Sequence, residues 1–339
     1  MNAESTPLLT ADLPGTAGAP QTAEDFRVDE IPTYLPDGKG EHCFALVRKR
    51  ELTTPQAVER ICQRFSLAKN AAGYAGLKDK HAITEQWISF AGADPASLRE
   101  LQDDDLQVVQ AERHGNKLRT GHLRGNRFAI TLRDTCEGAE ARARAIVERL
   151  AECGLPNYYG RQRFGIEGDN AEHGLQILRG ERKPPQDKRL RRLLISAFQS
   201  QIFNDVLAER VRNQDLRRLL GGEVLQVASG GLFVSEDDVE DQRRLDAGEV
   251  TITGPICGPK MKRPLAGSPA AQREEAILTA AEVGPDTFAK FAKLARGARR
   301  ALTVPIGDPK VEALSEGLRI SFALPSGSYA TVLMREITK

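Results

Sequence analysis

Aromatic residues make up only 5% of the 339-residue chain, and tryptophan occurs once, at Trp87. Scarcity makes each ring near glycine and basic side chains worth weighing as a platform for a planar ligand. Cysteine is equally thin: Cys43, Cys62, Cys136, Cys153 and Cys257 form an odd, scattered set without a CxxC pair. That pattern argues against a disulfide framework or a zinc site and fits a reducing, cytoplasmic setting. No apolar run reaches the ~18 residues of a membrane span. The opening stretch MNAESTPLLTADLPGTAGAPQTAEDF lacks the basic and apolar regions of a signal peptide, so residues 1–23 read as a flexible leader. A charge excess of one sign is also missing: 48 Lys and Arg face 47 Asp and Glu. A polyanion must therefore be gripped by local patches, because the local field steers ligands.

Several catalytic signatures are absent too. The chain has no GxxxxGK[ST] phosphate cradle, no GxGxxG after a strand, no HExxH and no GxSxG elbow. An enzyme built from it is expected to use no nucleotide, metal or redox cofactor.

Hydrophobic residues are 40% of the sequence and charged residues 28%, which fits a globular chain of about two domains. Residues 42–48 and 126–133 alternate as strands, and 86–92 and 106–112 also read as strands. Thr54-Pro55 looks like a hydroxyl cap followed by proline, opening a helix with Val58, Ile61, Cys62 and Phe65 on one face. An Ala-rich helix is predicted over 139–153 and a long one over about 187–212. Short strands are predicted at 224–228, 231–234 and 250–253, then helices at 270–282 and 285–300. The last forty or so residues return to strand, with LPSGSYA leading into TVLMREI. No strict βαβ alternation appears, so the fold class is α+β.

Three basic clusters stand out. RHGNKLRTGHLRGNR (113–127) carries Arg113, Lys117, Arg119, Arg124 and Arg127 with no acid, and its glycines let backbone amides approach phosphates. The second is Lys188, Arg189, Arg191 and Arg192. The third, Lys290, Lys293, Arg296, Arg299 and Arg300, is mostly at helical spacing. Each reads either as a solvated face or as a phosphate-tracking surface. In AGLKDKHAITEQW (75–87), Asp79 lies between Lys78 and Lys80, which would favour an ionised carboxylate fit for a base or a nucleophile. A plain hairpin tip has the same sequence. Asp103-Asp104-Asp105 reads as a solvated acidic turn, not a metal site. Phe26, Phe128, Tyr158, Tyr159, Phe164 and Tyr329 are candidate stacking rings, or else core side chains.

The order of the pieces carries more than any one of them. EDFRVDEIP, GKGEHCFALVRKRELTT, AGLKDKHAITEQW, LRGNRF, LPNYYGRQRFGIEGDN and LPSGSYATVLMREI, in this order along the chain, closely resemble the tRNA pseudouridine synthase D (TruD) family. The resemblance implies a pseudouridine-synthase catalytic domain, a mixed and largely antiparallel sheet flanked by helices. Into it an α/β TRUD domain is inserted. On that basis 24–154 and 301–339 are the catalytic domain and 155–300 the insert. It implies isomerisation of uridine 13 of tRNA to pseudouridine without a cofactor. Asp79 matches the essential aspartate, and Phe26, Asn126, Phe128 and Tyr329 match pocket-lining positions. The expected partner is tRNA, with no membrane or nucleotide cofactor, and a monomer is the default. Tyr329 stands where relatives usually carry phenylalanine. A basic residue that relatives often carry ahead of EDF is missing, and Lys78 is the expected substitute. A non-catalytic RNA-binding protein and a metal-dependent nuclease are the rival readings; neither explains the ordered motifs.

Overall fold

The computed structural model describes residues 6–68, 70–284 and 286–339. The chain folds into two compact units, each assembled from separate stretches of sequence.

The first unit holds residues 13–148, 306–330 and 337–339. Its early elements are β1 (Phe26–Pro32), β2 (His42–Arg50), α1 (Thr54–Arg64), β3 (Ala72–Tyr74), β4 (Ile83–Ala91), α2 (Pro95–Arg99), β5 (Leu106–His114), β6 (Leu123–Leu132) and α3 (Ala139–Cys153). The second unit holds residues up to 12, 149–305 and 331–336. It contributes β7 (Leu155–Pro156), α4 (Asn170–Arg179), α5 (Lys188–Arg212), β8 (Val224–Val227), β9 (Leu232–Val234), α6 (Asp238–Asp246), β10 (Val250–Ile256), α7 (Pro269–Ala280), β11 (Ala298–Ala301) and β12 (Thr303–Val304). The chain then returns to the first unit with β13 (Gly307–Leu314) and β14 (Gly317–Pro325), and ends in α8 (Ala330–Thr338).

The first unit is an eight-stranded mixed sheet ordered β13-β14-β6-β1-β4-β2-β5, with β3 on β4. Only β1 and β4 run parallel; the other pairings are antiparallel. The α+β class is therefore observed, and the C-terminal β14 pairs along β6, from Leu318↔Leu132 to Pro325↔Gly125. One face carries Cys43, Ala45, Val47, Ile88 and Phe90 under Ala57 and Ile61 of α1, all buried. The other carries a smaller cluster of Phe44, Trp87 and Leu118.

In the second unit, α5 supplies Phe203 and Leu207 to a core with Leu225, Val250 and Ile252 of its four-stranded sheet. A second cluster joins Leu194, Phe198 and Ile202 of α5 to Ile177 and Leu178 of α4.

Several expectations need correction. Residues 6–23 are not a flexible leader, while 1–5 lie outside the described residues. Thr10 is buried and donates its hydroxyl to Glu336 at 2.7 Å, and the Thr16 amide donates to the Ile337 carbonyl at 2.9 Å. The cap of α1 is Thr53, whose hydroxyl accepts from the Gln56 amide, so Thr54 is the first helical residue and its side chain is free for other work. TVLMREI is helix, because Leu333 and Ile337, one turn apart, both bury completely. The segment read as a helix over 285–300 contains, among its described residues, one 3-10 turn at Ala289–Phe291 and then the strand β11. Helices α4 and α6 were not expected; a Gly- and Asn-rich lead-in hides the first.

Candidate active site

The loop between β3 and β4 carries Asp79, and buried polar side chains hold it in place. The Lys78 amide donates to Thr54 Oγ1 at 3.0 Å, Thr54 donates to Gln86 Oε1 at 2.7 Å, and Gln86 Nε2 reaches the Gly76 carbonyl at 3.1 Å. Lys78 Nζ meets Glu30 Oε2 at 2.8 Å, with the two side chains 4% and 0% exposed. Lys49 Nζ donates to the Asp79 carbonyl at 2.7 Å. The Gly121 amide donates to the Ala75 carbonyl at 2.8 Å, fastening the loop to the basic connection between β5 and β6. Fixed on both sides, the loop leaves Asp79 itself exposed, and among the described residues its carboxylate makes no hydrogen bond or ion pair.

Register explains how the other candidates gather. Directly opposed residues on antiparallel strands share a face. Phe26 opposes Ile130, Val28 opposes Phe128, and Glu30 opposes Asn126. On the far side of β6, Phe322 opposes Phe128 and Leu324 opposes Asn126. Glu30, which anchors the Asp79 loop, thus stands across from Asn126 on one face. Phe26 meets Phe128 edge-on at 6.5 Å, and Phe128 stacks on Phe322 at 5.2 Å. Phe128 is buried, Phe26 half-buried. Tyr329 follows the turn that closes β14, where the Ser326 amide donates to the Arg124 carbonyl at 2.9 Å. Asn126 Oδ1 is buried and has no hydrogen-bond partner among the described residues, and Thr84 Oγ1 on the same face is in the same state. A buried unsatisfied acceptor costs about 1–3 kcal/mol, a cost that a ligand N–H would relieve. An aromatic-lined floor, an unanswered amide oxygen and an exposed carboxylate suit a planar ring that carries an N–H and is attached to a sugar.

Lys78 is not the free cation expected beside Asp79, because Glu30 claims it. Lys49 was missed, because Lys-Arg alternation at the end of a strand reads as surface. It is 1% exposed. Burial pushes its ammonium down to about 8, opposed by Asp79 and aided by Lys78.

The basic clusters fare differently. Along the end of β5, the connection that follows and β6, Arg113 lies 3.8 Å from Asp94 and Lys117 donates to the Asn70 carbonyl, whereas Arg119, Arg124 and Arg127 are exposed without an ion pair among the described residues. On α5, Arg191 folds back to the Pro185 carbonyl, and Lys188, Arg189 and Arg192 stay exposed. The third cluster divides: Lys290, Lys293 and Arg296 are exposed, whereas Arg299 is buried against Glu274 at 2.6 Å and Arg300 lies 4.2 Å over the Tyr159 ring. Tyr158 and Phe164 are buried side chains, and Asn204 brackets Tyr159 through its backbone. The YYGRQRF stretch therefore braces the second unit. Asp103 and Asp105 pair with Arg60, at 3.3 and 2.6 Å, and no cluster of metal-ligating side chains exists among the described residues. No helix among them is long and apolar enough to cross a membrane.

A profile described as tRNA pseudouridine synthase D (TruD) matches residues 5–184 and 186–337. The chain belongs to the TruD family. A protein of Anaeromyxobacter dehalogenans named tRNA pseudouridine synthase D is 44% identical over 340 residues, covering 98% of this chain and 96% of its own. One of the same name from Thermus thermophilus is 41% identical over 339 residues, covering 99% and 93%. A Methanosarcina mazei crystal structure assigned to TruD shares the fold, with a TM-score of 0.81 at 23% identity over 99% of this TruD-family chain and 96% of the other.

Proposed function

We propose that this TruD-family chain isomerises a uridine of tRNA, at position 13, to pseudouridine, with Asp79 as the essential carboxylate. The observation that carries this reading is the register that sets the Glu30–Lys78 anchor of the Asp79 loop across from the unanswered amide of Asn126. The target nucleoside leaves its stack at a cost of a few kcal/mol. Phe26, Phe128 and Tyr329 receive its ring, and Asn126 Oδ1 accepts its N–H. Asp79, exposed and unpaired, meets the ribose, either by attack at C1′ or by removal of the 2′ proton. The N1–C1′ bond breaks, the uracil turns, and C5 joins C1′ as the Asp79–C1′ bond breaks or the 2′ proton returns to C2′; C5 then gives up its proton and N1 takes one up. Bonds are rearranged within one nucleotide, so the chemistry needs no redox partner. Arg119, Arg124 and Arg127 grip phosphates near the loop. The segments 24–154 and 301–339 act as the catalytic domain and 155–300 as the inserted TRUD domain, in a cytoplasmic monomer.

The test is a tRNA transcript incubated with the protein, treated with carbodiimide and alkali, and copied by reverse transcriptase. A stop one nucleotide 3′ to residue 13 is expected with the wild type and none with Asp79→Ala. RNA binding with no stop anywhere would leave a non-catalytic RNA-binding protein; a stop elsewhere would refute the position.

A further inference from the structure

Four charged side chains meet around the Asp79 loop, and three of them are fixed. Lys78 and Glu30 neutralise one another at 2.8 Å. Lys49 is the odd one. It projects from β2 on the same sheet face as Thr84, its cross-strand partner on β4, and stands opposite Leu106 of β5. Its side chain is wholly enclosed, its one hydrogen bond among the described residues goes to the Asp79 carbonyl, and no carboxylate of theirs lies within ion-pair distance. An enclosed ammonium with a single neutral partner is a poor stabiliser. The charged groups that act on it are Asp79, which favours its proton, and Lys78, which opposes it; Glu30 is spent on Lys78. Among the described residues, Asp79 is therefore the one counter-charge left to it.

We infer that Lys49 is a positioning residue for Asp79: its ammonium clamps the loop through the Asp79 carbonyl and so holds the neighbouring carboxylate aimed at substrate. Because it is enclosed, Lys49 cannot touch RNA. It acts on the chemical step and not on binding. The inference rests on the proposed isomerisation.

The test uses full-length protein and tRNA carrying tritium at uridine C5, with release followed at saturating enzyme from pH 6 to 10. Lys49→Met is expected to lower the release rate roughly 100-fold, the size of loss that a small misplacement of a reacting group causes. KM for tRNA is expected to stay within about twofold, because no phosphate contact is lost. The wild-type rate is expected to fall as pH rises through about 8, where the ammonium gives up its proton. Lys49→Arg, which keeps its charge, is expected to lose that fall whatever its absolute rate. If Lys49→Met does not fold, the wild-type and Lys49→Arg profiles decide. Release by folded Lys49→Met at the wild-type rate, or identical basic limbs for wild type and Lys49→Arg, would overturn the inference and leave the isomerase reading standing. No release by the wild type at any pH would instead defeat the isomerase reading itself.

Discussion

Glu30→Gln is the substitution whose consequence follows most directly from the geometry. Glutamine keeps the size of the side chain and an acceptor for the Trp87 amide, which Glu30 Oε1 meets at 3.4 Å. It removes only the charge facing Lys78. The Lys78 side chain is 4% exposed, so its ammonium would be left enclosed and unanswered. Removing one partner of a buried pair destabilises by about 3–5 kcal/mol, whereas replacing both by apolar groups is often neutral. Glu30→Gln should therefore lower the stability of the first unit by about 3 kcal/mol or more, and adding Lys78→Met should recover most of it. Urea unfolding followed by tryptophan fluorescence is the assay. Trp87 is the only tryptophan and lies in the first unit, so the signal reports that unit without contribution from the other. The midpoint should drop at unchanged slope. A single variant within about 1 kcal/mol of wild type, or a double variant as unstable as the single, would refute the claim that this pair anchors the loop.

Other consequences can be measured separately. Asn126→Leu should cut kcat/KM about 10- to 100-fold, the worth of one or two lost hydrogen bonds, with little change in melting temperature, because Asn126 Oδ1 has no partner to lose among the described residues. Arg119→Ala and Arg124→Ala should each weaken tRNA binding and reduce the slope of log K against log salt by about 0.7–1; an unchanged slope would remove that residue from the interface. Tyr329→Phe should retain activity within about twofold, while Tyr329→Ala should lose the ~1–3 kcal/mol of a base stacked on a ring. Lys49→Met should stabilise the protein at pH 7. Burial lowers the folded-state value from 10.5 to about 8, so the native state bears a cost of roughly 2–3 kcal/mol below pH 8 that disappears as pH rises toward the unfolded value. The gain should shrink between pH 8 and 10.5; a gain that does not change with pH would mean that Lys49 is not the titrating group.

What could be read from the sequence followed from local rules. Alternation in NRFAITLR placed Asn126 and Phe128 on one face, and the register confirms it. Asp79 stood out because an acid sat between lysines at a glycine-bearing turn, and the structure leaves that side chain exposed and, among the described residues, unpaired. The reason for the turn was not legible. Glu30 and Lys78 lie 48 positions apart, and a pairing over that distance has no local signature. Lys49 lies just past the 42–48 strand read from the sequence, and nothing local shows that the loop it clamps covers it. Thr53 and Thr54 both precede proline, and only their hydrogen bonds separate the cap from the first helical residue. Arginines at 296, 299 and 300 mimicked a helical face, but Arg299 turns inward on β11 to meet Glu274.

The central claim is that Asp79 drives isomerisation at a uridine held on this face. Tritium at C5 of that uridine is the direct reporter, since forming the C5–C1′ bond must expel it and binding alone cannot. The account expects release by the wild type, one equivalent per target uridine, and none by Asp79→Ala, which should still bind tRNA through its arginines. Release by Asp79→Ala at the wild-type rate would contradict it.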